Sequence, residues 1–219
     1  MENSTLKQIP RRRYSMIPLF LDLSASRVLV FGAGSVGIRK ARHFTSAARM
    51  TIVAEDLSPE VFSFKNASIK QQAIEDMESE DLEKLIDRHD IVIAALSDEK
   101  ENERLCSLAK AAGKLYNNAT GEGNIRIPSV VCGAEYQIAV TTEKSAPAVP
   151  AFIRSFLEEN LPWLDNMVLL QNTLREELKT TIPDQARRAE ILRAVIDDAE
   201  IQNACIAGVP STEICKKYL

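Results

Sequence analysis

The residues best placed to do chemistry are three glycines that close an apolar run, Val28-Leu-Val-Phe-Gly-Ala-Gly-Ser-Val-Gly37. A Gly-x-Gly-x-x-Gly turn between a strand and a helix presents free backbone N–H groups and the positive end of a helix dipole, which together suit a pyrophosphate. Gly32 would make the tight turn, Gly34 would leave room for the phosphates at the backbone, and Gly37 would let the helix pack on the strand. The spacing alone is weak, since glycine-rich turns also serve as plain loops. Its setting strengthens it. Arg27–Phe31 reads as a buried strand, and Ile38, Ala41 and Phe44 recur at helical spacing beyond the turn. A second short strand, Met50–Ala54, runs into Glu55-Asp56, where a carboxylate would meet the adenosine ribose hydroxyls. Those two acids would repel a 2′-phosphate, so the pattern favours NAD over NADP.

A sheet is needed to hold these groups, and the rest of the first half supplies one. Ser58-Pro59-Glu60 opens a short helix to about Phe64, with serine able to cap and proline suited to the first turn. Ser68–Gln72 reads as a third strand and Ser79–Asp87 as a helix with Leu82, Leu85 and Ile86 on one face. The run from Asp90 to Ser97 is continuously apolar, as in a strand buried on both faces of a parallel sheet. Ligands of such sheets bind outside the carboxyl ends of the strands, so Ala95, Leu96 and Ser97 should line the nicotinamide side. Asp98 can cap a helix over Glu99–Ala112 that stops before Gly113, and Lys114–Asn117 follows as a fifth strand.

The pattern then changes. Ile125–Cys132 and Tyr136–Thr142 read as a hairpin, and helical segments follow at Ala151–Glu159, Leu164–Thr180, Ala186–Ala207 and Thr212–Leu219. The expected fold class is α/β: a Rossmann-like parallel sheet, then a small β-hairpin region, then a helical C-terminal domain. The expected divisions are an N-terminal extension at 1–15, a nucleotide domain at 16–117, a hairpin region at 118–146 and a helical domain at 147–219. Met16–Leu23 is expected to pack as an apolar lead-in against the first strand.

The chain has 219 residues, 26% of them charged, with a net charge of −4. That balance carries no electrostatic footprint for nucleic acid, and Arg11-Arg12-Arg13 is the sole basic run. No apolar stretch reaches membrane-spanning length, so a cytoplasmic protein is expected. Cys106, Cys132, Cys205 and Cys215 form no Cys-x-x-Cys and lie in apolar-patterned segments, which predicts buried, reduced thiols. His43 and His89 have no metal-ligand spacing, and no metal site is expected.

The order of parts resembles the precorrin-2 dehydrogenase / sirohydrochlorin ferrochelatase family, the first module of sirohaem synthases. The resemblance runs from about residue 16 to about 160. It rests on Pro18-Leu-Phe-Leu-Asp-Leu23, Val28–Ala41, Ile91-Val-Ile-Ala-Ala95, Asn102, Ile127-Pro-Ser-Val-Val131, and Ile138–Thr142 with Ser145-Ala-Pro147. The Arg39-Lys40-Ala41 step is more diagnostic than the glycines, because generic dinucleotide folds do not require it. The resemblance implies NAD-dependent oxidation of the tetrapyrrole precorrin-2 to sirohydrochlorin, in some members followed by iron insertion. It also implies a homodimer that exchanges its hairpin region, with cofactor contacts at Ser35, Val36, Glu55 and Asp56.

Two positions depart from the family pattern. Relatives commonly carry an aspartate after the fifth strand, proposed for proton removal and metal insertion, and ungapped alignment from Pro128 places Asn118 there. An amide is no general base at ordinary pH, and Glu122 is the nearest carboxylate. Ala146 stands where relatives often have serine. A polycarboxylate substrate calls for cations, and Arg126 at the hairpin and Arg154 on the first C-terminal helix are the candidates. Dehydrogenation can release its proton to water, whereas chelation needs a base in the cleft, so a dehydrogenase with little or no chelatase activity is expected. A bifunctional enzyme and a non-catalytic NAD(H)- or tetrapyrrole-binding module are the alternatives.

Overall fold

The computed structural model describes residues 16–142, 146 and 148–216. The extension at 1–15 with its arginine run, Ser145, Pro147 and the last three residues lie outside the described residues. The chain divides into two compact units. One is Pro18–Ile127, and the other comprises Met1–Ile17 and Pro128–Leu219.

The first unit alternates strand and helix: β1 (Arg27–Phe31), α1 (Ser35–Ala41), β2 (Arg49–Ala54), β3 (Ala67–Gln71), α2 (Ser79–Asp87), β4 (Ile91–Ala94), α3 (Glu99–Ala111) and β5 (Leu115–Asn118). The five strands form one parallel sheet in the order β3-β2-β1-β4-β5. Its central strands read as unbroken apolar runs because helices cover both faces. Val28, Val30, Ile52, Ile91 and Ile93 pack with Ile38 and Ala41 of α1 on one face. Leu29, Phe31, Val92 and Ala94 pack with Leu82 and Ile86 of α2 and Leu105 of α3 on the other. Buried His89, in the turn before β4, joins two elements: its Nδ1 lies 2.7 Å from Leu85 O, so it donates there, and Nε2 accepts from the Thr51 hydroxyl at 2.9 Å.

Several sequence expectations need correction. The segment over Ser58–Phe64 is a 3-10 turn, Pro59–Ser63, begun by Ser58 accepting from Glu60 N–H. The third strand lies one residue earlier than read, and the fifth is Leu115–Asn118, so Asn118 closes the strand instead of following it. The lead-in does not pack as expected: Ile17, Leu19, Phe20 and Leu21 are exposed, and Leu23 is the residue that reaches the sheet core. The reach of the hairpin strand back to Ile125 also fails. Residues 119–127 instead return along β5, with Asn124 Nδ2 donating to Lys114 O at 2.9 Å and Asn124 Oδ1 accepting from Tyr116 N–H at 2.6 Å.

The second unit contains a two-stranded antiparallel sheet, β6 (Ser129–Cys132) and β7 (Gln137–Val140), paired Ser129 with Val140 through Cys132 with Gln137. Five helices follow: α4 (Ala148–Asn160), α5 (Leu164–Thr181), α6 (Gln185–Asp197), α7 (Ala199–Ile206) and α8 (Ser211–Cys215). Met167, Leu170, Leu174 and Leu178 form one stripe of α5 and meet Val195, Ile201, Cys205 and Ile214. The long helix expected over Ala186–Ala207 is two, because Asp198 turns its carboxylate to the N–H groups of Glu200 and Ile201 and caps a new helix. Cys106, Cys205 and Cys215 are buried free thiols, and burial pushes the Cys106 thiol up to about 11. Cys132 corrects the expectation: strand alternation buries Val131 and turns the Cys132 side chain out, where it is exposed.

Candidate functional site

Gly32 follows directly on β1 at φ 101, a left-handed backbone that glycine adopts without steric cost. Its N–H donates to Val53 O of β2 at 2.8 Å, and a Cβ there would stand 2.4 Å from Ala95 O. The turn is thus wedged between β2 and the end of β4. Gly37 has a packing reason too, since its Cβ would fall 2.1 Å from Gly32 O. Gly34 has neither. Its φ is −74, and a Cβ there would meet no protein atom within 4 Å.

Gly34 caps α1, and the first backbone bond back to it comes from Ile38 N–H at 2.9 Å. The N–H groups of Ser35, Val36 and Gly37 therefore have no helical acceptor. No acid occupies the first turn. Open space at Gly34, free N–H groups and a helix dipole fit a pyrophosphate, and these residues would hold it.

The other carboxyl ends converge on this turn. Glu55 and Asp56 follow β2, both exposed, with Gln71 Nε2 donating to Glu55 O at 3.1 Å. Ala95 follows β4 and donates to Phe31 O at 2.8 Å; Leu96 is half-buried and Ser97 exposed. Asp98 accepts from Lys100 N–H at 2.7 Å and so begins α3, as its sequence position predicts. Fully buried Asn102 then grips the β4 end. Its Oδ1 accepts from Leu96 N–H at 2.9 Å, and its Nδ2 donates to Leu96 O at 3.0 Å and to Thr120 Oγ1 at 3.2 Å. In the sequence Asn102 is a residue of the family resemblance with no role of its own. A lone asparagine in the first turns of a helix carries no signal of such a clamp.

Asn118 is buried at the end of β5. Its Oδ1 accepts from the Thr120 N–H at 3.0 Å and the Thr120 hydroxyl at 3.1 Å. A backbone N–H must meet an acceptor, so the amide orientation is determined, and the NH2 group is left to donate. Glu122 lies exposed in the loop beyond, and Arg126 is exposed near the loop's end. Neighbouring Asn117 is buried as well: Lys40 Nζ donates to its Oδ1 at 2.6 Å, and its Nδ2 donates to Ile125 O at 3.0 Å. Burial, with Arg39 alongside, lowers the Lys40 ammonium below its ordinary range. His43, on the 3-10 turn that continues α1, is lowered as well, by partial desolvation of its ring and then by the charges of Lys40 and Arg39.

One sheet edge thus gathers the glycine turn, Glu55, Asp56, Ala95, Leu96, Ser97 and Asn118. Arg154 belongs to α4 of the second unit and pairs with Glu158 at 3.8 Å. Among the described residues no group of three or more His, Cys, Asp or Glu could hold a metal ion, and no helix is long and apolar enough to cross a membrane.

A parallel sheet in this order, with a glycine turn leading into α1 and acids closing β2, defines a nicotinamide dinucleotide-binding protein of Rossmann type. In agreement, a family model described as NAD(P)-binding matches residues 19–129. The chain is 30% identical over 193 residues to the precorrin-2 dehydrogenase of Methanosarcina barkeri, covering 86% of each. It is 32% identical over 195 residues to a Methanocaldococcus jannaschii protein that carries the same name provisionally, covering 85% of this chain and 93% of that one. The solved structure of SirC, a precorrin-2 dehydrogenase, superposes with a TM-score of 0.70 at 22% identity, over 93% of this chain and all of that one, and bears out the fold. The chain belongs to the precorrin-2 dehydrogenase family.

Proposed function

We propose that the protein oxidises precorrin-2 to sirohydrochlorin with NAD, as a cytoplasmic homodimer, with little or no ferrochelatase activity. The observation that carries the reading is the cradle at Gly34, in a chain of this family: the protein gives that glycine no packing or backbone reason, and a pyrophosphate would. Bound NAD supplies the hydride acceptor. The chain's residues do the rest. The N–H groups of Ser35, Val36 and Gly37 hold the phosphates. Glu55 and Asp56 meet the ribose hydroxyls and disfavour a 2′-phosphate, which selects NAD over NADP. Ala95, Leu96 and Ser97 border the nicotinamide, and the Asn102 clamp keeps that edge rigid.

The substrate's carboxylates call for Arg126 and Arg154, and Asn118 offers its NH2 group as a donor that orients the macrocycle. A carboxamide is not basic at ordinary pH, so position 118 cannot take a proton, and its Oδ1 is in any case engaged by Thr120. The proton released on oxidation goes to water or to exposed Glu122. Chelation has no such freedom, since pyrrole protons must be taken inside the cleft. Asn118 alone favours the second reading, a non-catalytic NAD(H)- or tetrapyrrole-binding module.

One assay separates the two. Purified protein is mixed with precorrin-2 and NAD, and the absorbances of sirohydrochlorin and NADH are followed. Stoichiometric growth of both supports the enzyme. Binding without NADH formation supports the module.

A further inference from the structure

We infer that Lys40 is a substrate ligand, holding a carboxylate of the tetrapyrrole at the β5 side of the sheet's carboxyl edge. The inference rests on the tetrapyrrole reading above and deepens it. Lys40 lies on α1 beyond the glycines, and a helical side chain leans back toward the helix N-terminus, here toward the cofactor turn. Its Nζ stands 2.6 Å from Asn117 Oδ1, one residue before Asn118. The Asn117 carboxamide is itself held, since Nδ2 donates to Ile125 O at 3.0 Å. Ile125 immediately precedes Arg126, so the amide that receives Lys40 is tied to the backbone next to the candidate arginine of the returning loop.

The partnering of Lys40 is incomplete for a cation in this setting. None of the ion pairs among the described residues includes it. Its hydrogen bond goes to a neutral amide, which leaves two of the three ammonium donors for another group. A half-buried charge without a counter-charge is costly, and the adjoining Arg39 adds a like charge. A bound anion supplies the missing charge.

Direction identifies the anion. In the order β3-β2-β1-β4-β5, the acids that meet the adenosine ribose follow β2, whereas Lys40 reaches across to β5. It therefore leans away from the adenosine end and toward the β4–β5 side, where the reading above puts the nicotinamide and where a substrate must meet it.

The test uses the full-length chain and the variants Lys40→Met and Lys40→Arg. Wild-type turnover of precorrin-2 with NAD is measured first, and its absence would overturn the tetrapyrrole reading and the inference with it. Given turnover, Lys40→Met should raise the KM for precorrin-2 by about tenfold, the loss of one charge-assisted bond. Its Kd for NAD should stay within about twofold, and the Tm of the ligand-free protein should move little, because the relief of an uncompensated charge is set against an Asn117 Oδ1 left without its donor. Lys40→Arg should recover most of the KM. Three results would overturn the inference: an unchanged KM; weakened NAD binding with normal KM, which would assign Lys40 to the pyrophosphate; or a Tm far below wild type with normal KM, which would make the Lys40–Asn117 bond a structural tie.

Discussion

Gly34 and Gly37 sit three residues apart in one motif, yet the structure assigns them opposite sensitivities to a single methyl group. At Gly34, alanine gains about 0.4–1 kcal/mol from the reduced freedom of the unfolded chain, and φ of −74 is open to it. It also replaces glycine as the cap of α1, where alanine is the poorer residue by roughly 0.5–1 kcal/mol. With open space around the new Cβ the two effects cancel, so the ligand-free Tm should move by less than about 2 °C. At Gly37 the Cβ lands 2.1 Å from Gly32 O, a backbone atom of the turn itself. Relief of that overlap is overpacking at about 1–3 kcal/mol, or a Tm lower by roughly 2–12 °C for a domain of this size. Differential scanning fluorimetry with and without NAD, backed by calorimetric titration, reads both. Gly34→Ala should melt like wild type, bind NAD at least about tenfold more weakly and lose the cofactor-induced rise in Tm. Wild-type NAD affinity in Gly34→Ala would refute the cradle, and a Tm loss there equal to that of Gly37→Ala would refute the packing distinction.

Supplied with sirohydrochlorin and ferrous iron but no NAD, the wild-type protein should insert metal no faster than the uncatalysed reaction, and Asn118→Asp should accelerate it; clear wild-type acceleration would sink the monofunctional reading. Buried His89 is held neutral with its pKa lowered, chiefly by desolvation, so the unfolded chain takes up its proton first. Stability is therefore complete above the ordinary histidine range, about 6.5, and falls as pH drops through it toward the lowered folded value. Chemical denaturation across that window should show a smaller loss in His89→Gln. Light scattering at micromolar concentration should give a dimer, since a two-stranded sheet such as β6-β7 is marginal by itself in water; a monomer would count against it.

The Rossmann half was legible because its signals are local and redundant. The run Val28–Phe31, the glycine spacing and the cap at Asp98 each state one thing, and each sits where it should. What failed to show was decided by distant partners. Asn102 becomes a clamp because the Leu96 backbone and Thr120 come to it, from 6 and 18 residues away. Ile125 is apolar and β-branched like a strand residue, but its N–H goes to Tyr116 O of β5, a pairing that no periodicity announces. Asp198 reads in sequence as one more polar residue of a helical stretch, and its role as a cap is fixed only where its carboxylate meets the N–H groups of Glu200 and Ile201. The exposure of the lead-in is illegible for a simpler reason: apolar composition says that a segment seeks cover without saying where the cover lies.

The side chain of Asn124 has a consequence for how this molecule behaves in a crowd. An outermost strand ordinarily offers a row of vacant amide and carbonyl groups, a template on which a stranger's strand can be laid. Along β5 one asparagine imitates such a strand, giving its amide hydrogen to Lys114 and taking one from Tyr116, while Ile125 completes the next rung. The flank is therefore closed by the chain's own loop, and runaway strand addition has no foothold there. At that edge a second copy can meet only side chains, where contact is specific and finite.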